Sequence, residues 1–129
     1  MSLVVRGGRN QHAVRSDFEL ALILKKRDEH GFNSFWLKHG DEPFPTIWIS
    51  TNFDHALLHY YPKEDHPGFR SLRLVSDLAP DGETMFHCAC GIDLLMPNSS
   101  AIPLSRALDV AKEFAGSKWL PRCIEWFEL

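Results

Sequence analysis

Ile47-Trp48-Ile49-Ser50-Thr51-Asn52-Phe53-Asp54-His55-Ala56-Leu57-Leu58-His59-Tyr60-Tyr61 is the stretch that decides the fold. Ile47 and Ile49 alternate with Trp48, and Ala56, Leu58 and Tyr60 alternate with Leu57, His59 and Tyr61. That two-residue period puts one set of side chains on each face of a strand. Asn52, Phe53 and Asp54 stand between the two runs as a turn, so the segment reads as a hairpin with strands over 45–50 and 55–61. The same period predicts strands over 32–38, 69–76, 84–90 and 92–96. Pro80-Asp81-Gly82 is placed to tie 69–76 to 84–90, because proline presets φ and glycine accepts a positive φ. A closing strand is expected over Arg122–Phe127, with Trp126 turned towards a helix that carries Phe114.

The period changes to about 3.6 on either side of this β-rich middle. Ser16-Asp17-Phe18-Glu19 has the spacing of a capping box, and predicts a helix that runs through Leu24 into Lys25, Lys26 and Arg27 and ends at Gly31. Its apolar face, with Leu20 and Leu24 beside Phe18 and Leu22, is expected to lie on a sheet. Leu104, Ala107, Leu108, Ala111, Phe114 and Ala115 mark a second, more clearly amphipathic helix between Pro103 and Gly116. The expected fold is therefore α+β: an antiparallel, mostly meander sheet of about five to six strands with two main helices packed on it. One domain over 1–129 is expected, with 1–14 a candidate flexible N-terminal segment.

Composition narrows the function classes. The chain has 44% hydrophobic and 24% charged residues, ordinary for a folded domain. Its longest apolar runs are about five residues, well short of the roughly 18 that span a bilayer. Three cysteines, Cys88, Cys90 and Cys123, are too few and odd for a disulfide framework and suit a reducing cytoplasm. The net charge of -3 is unevenly spread. Residues 1–40 carry seven basic and four acidic side chains, whereas 41–100 carry three basic and nine acidic ones. An acidic middle segment suits a basic protein surface and opposes direct contact with nucleic acid.

Patterns that could carry chemistry are weak. His87-Cys88-Ala89-Cys90 holds soft ligands, but a strand sends His87 and the cysteines to opposite faces, and the two-residue spacing is not that of a zinc site. His55 and His59 have the spacing of a helical metalloprotease site, with Ala56 where that site needs Glu and in a strand context. Neither G-x-S-x-G nor a phosphate-binding loop is present. No catalytic residue, metal site or cofactor is therefore expected.

Ile102-Pro103, Ala107, Ala111 and Phe114 on the second helix, followed by Pro121, Ile124 and Trp126, resemble the signature of a bacterial immunity-protein family, Imm-one of polymorphic toxin systems. Ile47–Ser50, Ala56–Tyr60 and Pro67-Gly68-Phe69 are similar to that family's central hairpin, so the resemblance covers roughly 32–127. It implies an α+β protein without enzymatic activity that binds a cognate toxin, often a nucleic-acid deaminase or nuclease. Such a toxin needs a cationic cleft, which an acidic surface would occupy. The candidate partner-binding residues are accordingly the loop acids Asp41, Glu42, Glu64, Asp65, Asp81 and Glu83, with Tyr61 beside the most polar loop. Tyr60 and Phe69 are further candidate anchors. The competing reading is a small non-catalytic binding or regulatory module for another protein or ligand.

Overall fold

The computed structural model describes residues 3–7, 10–73, 78–79, 81–87 and 92–129. In chain order the elements are β1 (Leu3–Gly7), β2 (Asn10–Val14), α1 (Asp17–Leu24), β3 (Phe32–His39), β4 (Thr46–Asn52), β5 (His55–Tyr61) and β6 (Phe69–Leu72). There follow β7 (Glu83–His87), β8 (Asp93–Pro97), a 3-10 turn (Asn98–Ser100), β9 (Ile102–Pro103), α2 (Leu104–Gly116) and β10 (Glu125–Glu128). The architecture is α+β, as the periods predict. The main sheet has the order β10-β6-β5-β4-β3-β1-β2, every pairing antiparallel, and β9 adds to β5.

That sheet has eight strands, more than the expected five to six. Two of its strands, β1 and β2, lie within 1–14, the candidate flexible N-terminal segment. Leu3 and Val5 are 1% and 0% exposed and face the core, while β1 fills the space between β3 and β2. Burial of these two side chains holds the hairpin on the sheet, since an isolated two-stranded ribbon is marginal in water. Strands β2 and β3 both run antiparallel to β1, so α1 is a crossover that spans β1 and covers that half of the sheet.

A second correction concerns Pro80-Asp81-Gly82. It does not join two paired strands, because β6 pairs with β5 on one side and with the returning β10 on the other. With both edges of β6 taken, β7 pairs with β8 in a separate two-stranded sheet that lies over the main one. Phe86 of β7 is fully buried there against Trp48 and Leu57. Pro80 itself and the expected strand residues 74–76 and 88–90 lie outside the described residues.

Local chemistry accounts for the helices. Ser16 Oγ accepts the Glu19 N–H at 3.1 Å and starts α1. The helix stops at Leu24 rather than running to Gly31, and Leu20, Ile23 and Leu24 form its buried face. Phe18 and Leu22 are 74% and 52% exposed, contrary to expectation. At 100° per residue those two share a stripe on the far side from Leu20 and Leu24. Gly31 instead serves the entry to β3, with φ +85° and the Phe53 ring so close that a Cβ would meet it at 2.5 Å. Helix α2 has no side-chain cap; its first N–H, from Leu104, donates to the Asp54 carbonyl of the β4–β5 turn at 2.7 Å. Ala107, Val110, Ala111, Phe114 and Ala115 then face the sheet. The core lies between these helices and one face of the sheet, with Leu37, Ile47, Ile49 and Leu58 all 0% exposed. Trp126 joins it from β10, its indole N–H donating to the Pro121 carbonyl at 2.7 Å.

Candidate functional site

Register places a row of polar and aromatic side chains across the sheet face that the helices leave open. Arg6 opposes Trp36, Trp36 opposes Trp48, Trp48 opposes His59, His59 opposes Arg70 and Arg70 opposes Phe127. Directly opposed residues share a face, so six strands contribute one ladder. The neighbours Leu37, Ile47 and Tyr60 point the other way, into the core. The rings meet in tilted contacts: Trp36 to Trp48 at 6.3 Å between centroids, Trp48 to His59 at 5.8 Å and Trp36 to Tyr61 at 6.0 Å. His59 stacks on Tyr61 at 5.9 Å, and the Arg70 guanidinium lies 5.8 Å from the centre of the Phe127 ring.

The β7–β8 hairpin covers the part of this face near Asn52, whose side-chain amide donates to the Met85 carbonyl at 2.8 Å. Beyond the hairpin the face is open. There Arg6, Trp36, Lys38, Phe44, Thr46 and Tyr61 line a hollow of about 560 Å³, with Pro43 completing its wall. Trp36 is 36% exposed at this hollow, whereas Trp48 is 6% exposed beneath the hairpin's edge. Two cations and no carboxylate line the hollow among the described residues.

His59 has an unusual setting. Its Nδ1 is buried without a hydrogen-bond partner among the described residues, as is Arg70 Nε. Burial first, and the neighbouring Arg70 second, push the imidazole from its ordinary 6.5 down to about 4. Above about pH 6.5 the ring is neutral in both folded and unfolded chains. Below it, the unfolded chain takes up a proton that the folded one refuses until about pH 4. The melting temperature is therefore expected to fall as pH drops through that window, and the fall should be shallower in His59→Phe. Identical pH profiles for the two proteins would refute the assignment.

The loop acids are divided between two regions. Asp41 and Glu42 follow β3, and Glu64 and Asp65 lie between β5 and β6, so the antiparallel order gathers these four at one end of the sheet. All four are exposed, and Tyr61 at the end of β5 links them to the hollow. Burial raises the Tyr61 phenol above its ordinary pKa. The Glu42 carboxylate already accepts from Lys118 Nζ at 2.9 and 2.8 Å, which holds it below the usual carboxylate range. Asp81 and Glu83 stand apart, at the start of the β7–β8 hairpin. Tyr60 and Phe69 face the core side, and the Tyr60 hydroxyl donates to the Lys118 carbonyl at 2.8 Å.

Cys88 and Cys90 lie outside the described residues. His55 and His59 are on β5, where four residues of strand separate their backbones by roughly 13 Å. Burial first, and the adjacent Glu113 second, push the Cys123 thiol above its ordinary pKa, the reverse of what activates a nucleophile. A further hollow of about 370 Å³ gathers Arg73, Arg106 and Arg122, but Arg73 donates to the Ala101 carbonyl and Arg106 to that of Cys123.

Arg6, Trp36, Lys38 and Arg70 did not stand out in the sequence, because cross-strand register is not written in any one strand. The available signal was parity. Trp36, Trp48 and His59 each occupy the alternation phase opposite to the helix-facing core residues Leu37, Ile47 and Leu58, which places large aromatics where polar residues are usual.

Fold and face together define the class: an α+β protein with two helices over one face of an antiparallel sheet and a broad, partly open aromatic surface on the other. The family model described as Immunity protein Imm1 matches residues 10–128, nearly the whole length, and the chain belongs to that family. No curated protein matches the chain.

Proposed function

We propose that this protein neutralises a cognate bacterial toxin by binding it, within the cytoplasm of the cell that makes both, and catalyses no reaction itself. The observation that carries the reading is the family match over residues 10–128. The toxin is one that acts on nucleic acid, a deaminase or a nuclease. Its cationic cleft is complementary to the acids that crowd one end of the sheet, and exposed Asp41, Glu64 and Asp65 are the leading contacts. Asp81 and Glu83 form a separate acidic patch at the start of the β7–β8 hairpin, and Glu42 contributes less because Lys118 neutralises it.

Exposed charges of this kind set the association rate more than the lifetime of a complex. Replacing Asp41, Glu64 and Asp65 together by Ala is expected to slow association with the toxin about tenfold or more at low salt and to change little at high salt. Stopped-flow mixing across a salt series measures this. If the triple variant associates as fast as wild type at low salt, the acidic end is not the docking end.

A further inference from the structure

We infer that the hollow beside the ladder is the anchor point of the interface, and that it takes a loop of the toxin presenting a carboxylate flanked by apolar or aromatic side chains. This rests on the toxin-binding reading above and adds to it the surface and the chemistry of the contact. Two features of the hollow point to that occupant. Arg6 and Lys38 stand at its wall with no carboxylate lining it, a positive island on a chain of net charge -3. Beside them lies the Trp36 and Tyr61 ring pair, held at 6.0 Å and 31° and backed by Trp48 and His59. Trp, Tyr and Arg are the residue types that carry most of the energy of protein interfaces, where they fill preformed concave sites. Rings fixed by neighbouring rings lose little freedom on binding, which favours them as anchors.

Single-stranded nucleic acid would also answer to aromatics and cations. Two observations favour protein. Trp48 is only 6% exposed and the ring planes are tilted by 43° and 31°, so no succession of open faces is offered for bases to stack on. Exposed Asp41, Glu64 and Asp65 at the adjoining end would repel a phosphate chain. The acidic end then steers the toxin's cationic cleft while the hollow grips a neighbouring acidic loop, two patches of opposite sign that fix one orientation.

The test compares wild type, Trp36→Ala and the double variant Arg6→Glu, Lys38→Glu against the purified cognate toxin. Calorimetry should show Trp36→Ala weakening the complex about thirtyfold or more, and the charge reversal about tenfold or more, with far-ultraviolet circular dichroism unchanged. A zero-length carbodiimide crosslink should join Lys38 to an Asp or Glu of the toxin and vanish in Lys38→Arg. Tight binding by wild type and by both variants, with no crosslink at Lys38, would overturn this inference and leave the toxin-binding reading standing. Failure of wild type to bind the toxin would overturn both. Wild-type affinity for a fluorescent single-stranded oligonucleotide, lost in Trp36→Ala, would assign the hollow to nucleic acid instead. A wild-type dimer in sedimentation that the charge reversal dissolves would assign it to a second copy of the chain.

Discussion

Phe114→Ala is expected to lower the free energy of unfolding by about 3–5 kcal/mol, the cost of emptying a fully enclosed aromatic site. The ring is 0% exposed, lies 4.8 Å from that of His39 and meets the Tyr60 ring edge-on at 6.3 Å. The substitution removes the ring contact with His39 and leaves the backbone link to that residue in place. Phe114's own carbonyl engages His39 Nε2 at 2.8 Å, so the residue ties the end of α2 to the end of β3 through both side chain and backbone. A domain of this size holds about 5–15 kcal/mol in all, so the variant should be close to unfolding at growth temperature. Urea denaturation measures the change. A midpoint equal to that of wild type would mean that α2 is not seated on the sheet as described.

Gly68→Ala is expected to cost roughly 2–3 kcal/mol and also to weaken toxin binding. Gly68 has φ +98°, and a Cβ there would sit 2.7 Å from the Tyr60 carbonyl oxygen and 3.1 Å from the Tyr61 ring. The nearest obstacle is backbone, which cannot swing aside as a long side chain can. The loop must therefore move, and Tyr61, one wall of the hollow, moves with it. Denaturation gives the first effect and calorimetry with the toxin the second. A variant as stable as wild type would show that the loop accommodates the methyl group, and the weaker binding would then not be expected either.

Much of the fold was legible because it is written in local period. The 47–61 hairpin, the capping box at Ser16 and the α2 stripe each depend on neighbours within one turn or one strand. Two of the misses are long-range. β1 is too short to announce itself by alternation, and its burial depends on a slot that β3 and β2 create. The separate β7–β8 sheet follows from competition for the edge of β6, won by β10 some fifty residues further on. Phe18 and Leu22 are a local miss: both are apolar, but their angular positions on α1 put them opposite Leu20 and Leu24. The candidate site divides along the same line. The acids are visible as an acidic segment within the chain, whereas the ladder from Arg6 to Phe127 exists only once six strands are in register.

Co-expression with the cognate toxin, followed by gel filtration and by growth of the host, tests most directly the proposal that this chain recognises a toxin through a surface of two opposite charges. A stable complex of the two chains and restored growth are expected, with both lost when Trp36→Ala is combined with the Asp41, Glu64, Asp65 triple alanine variant. Separate elution of the wild-type chain and its toxin, with no protection of the host, would contradict it.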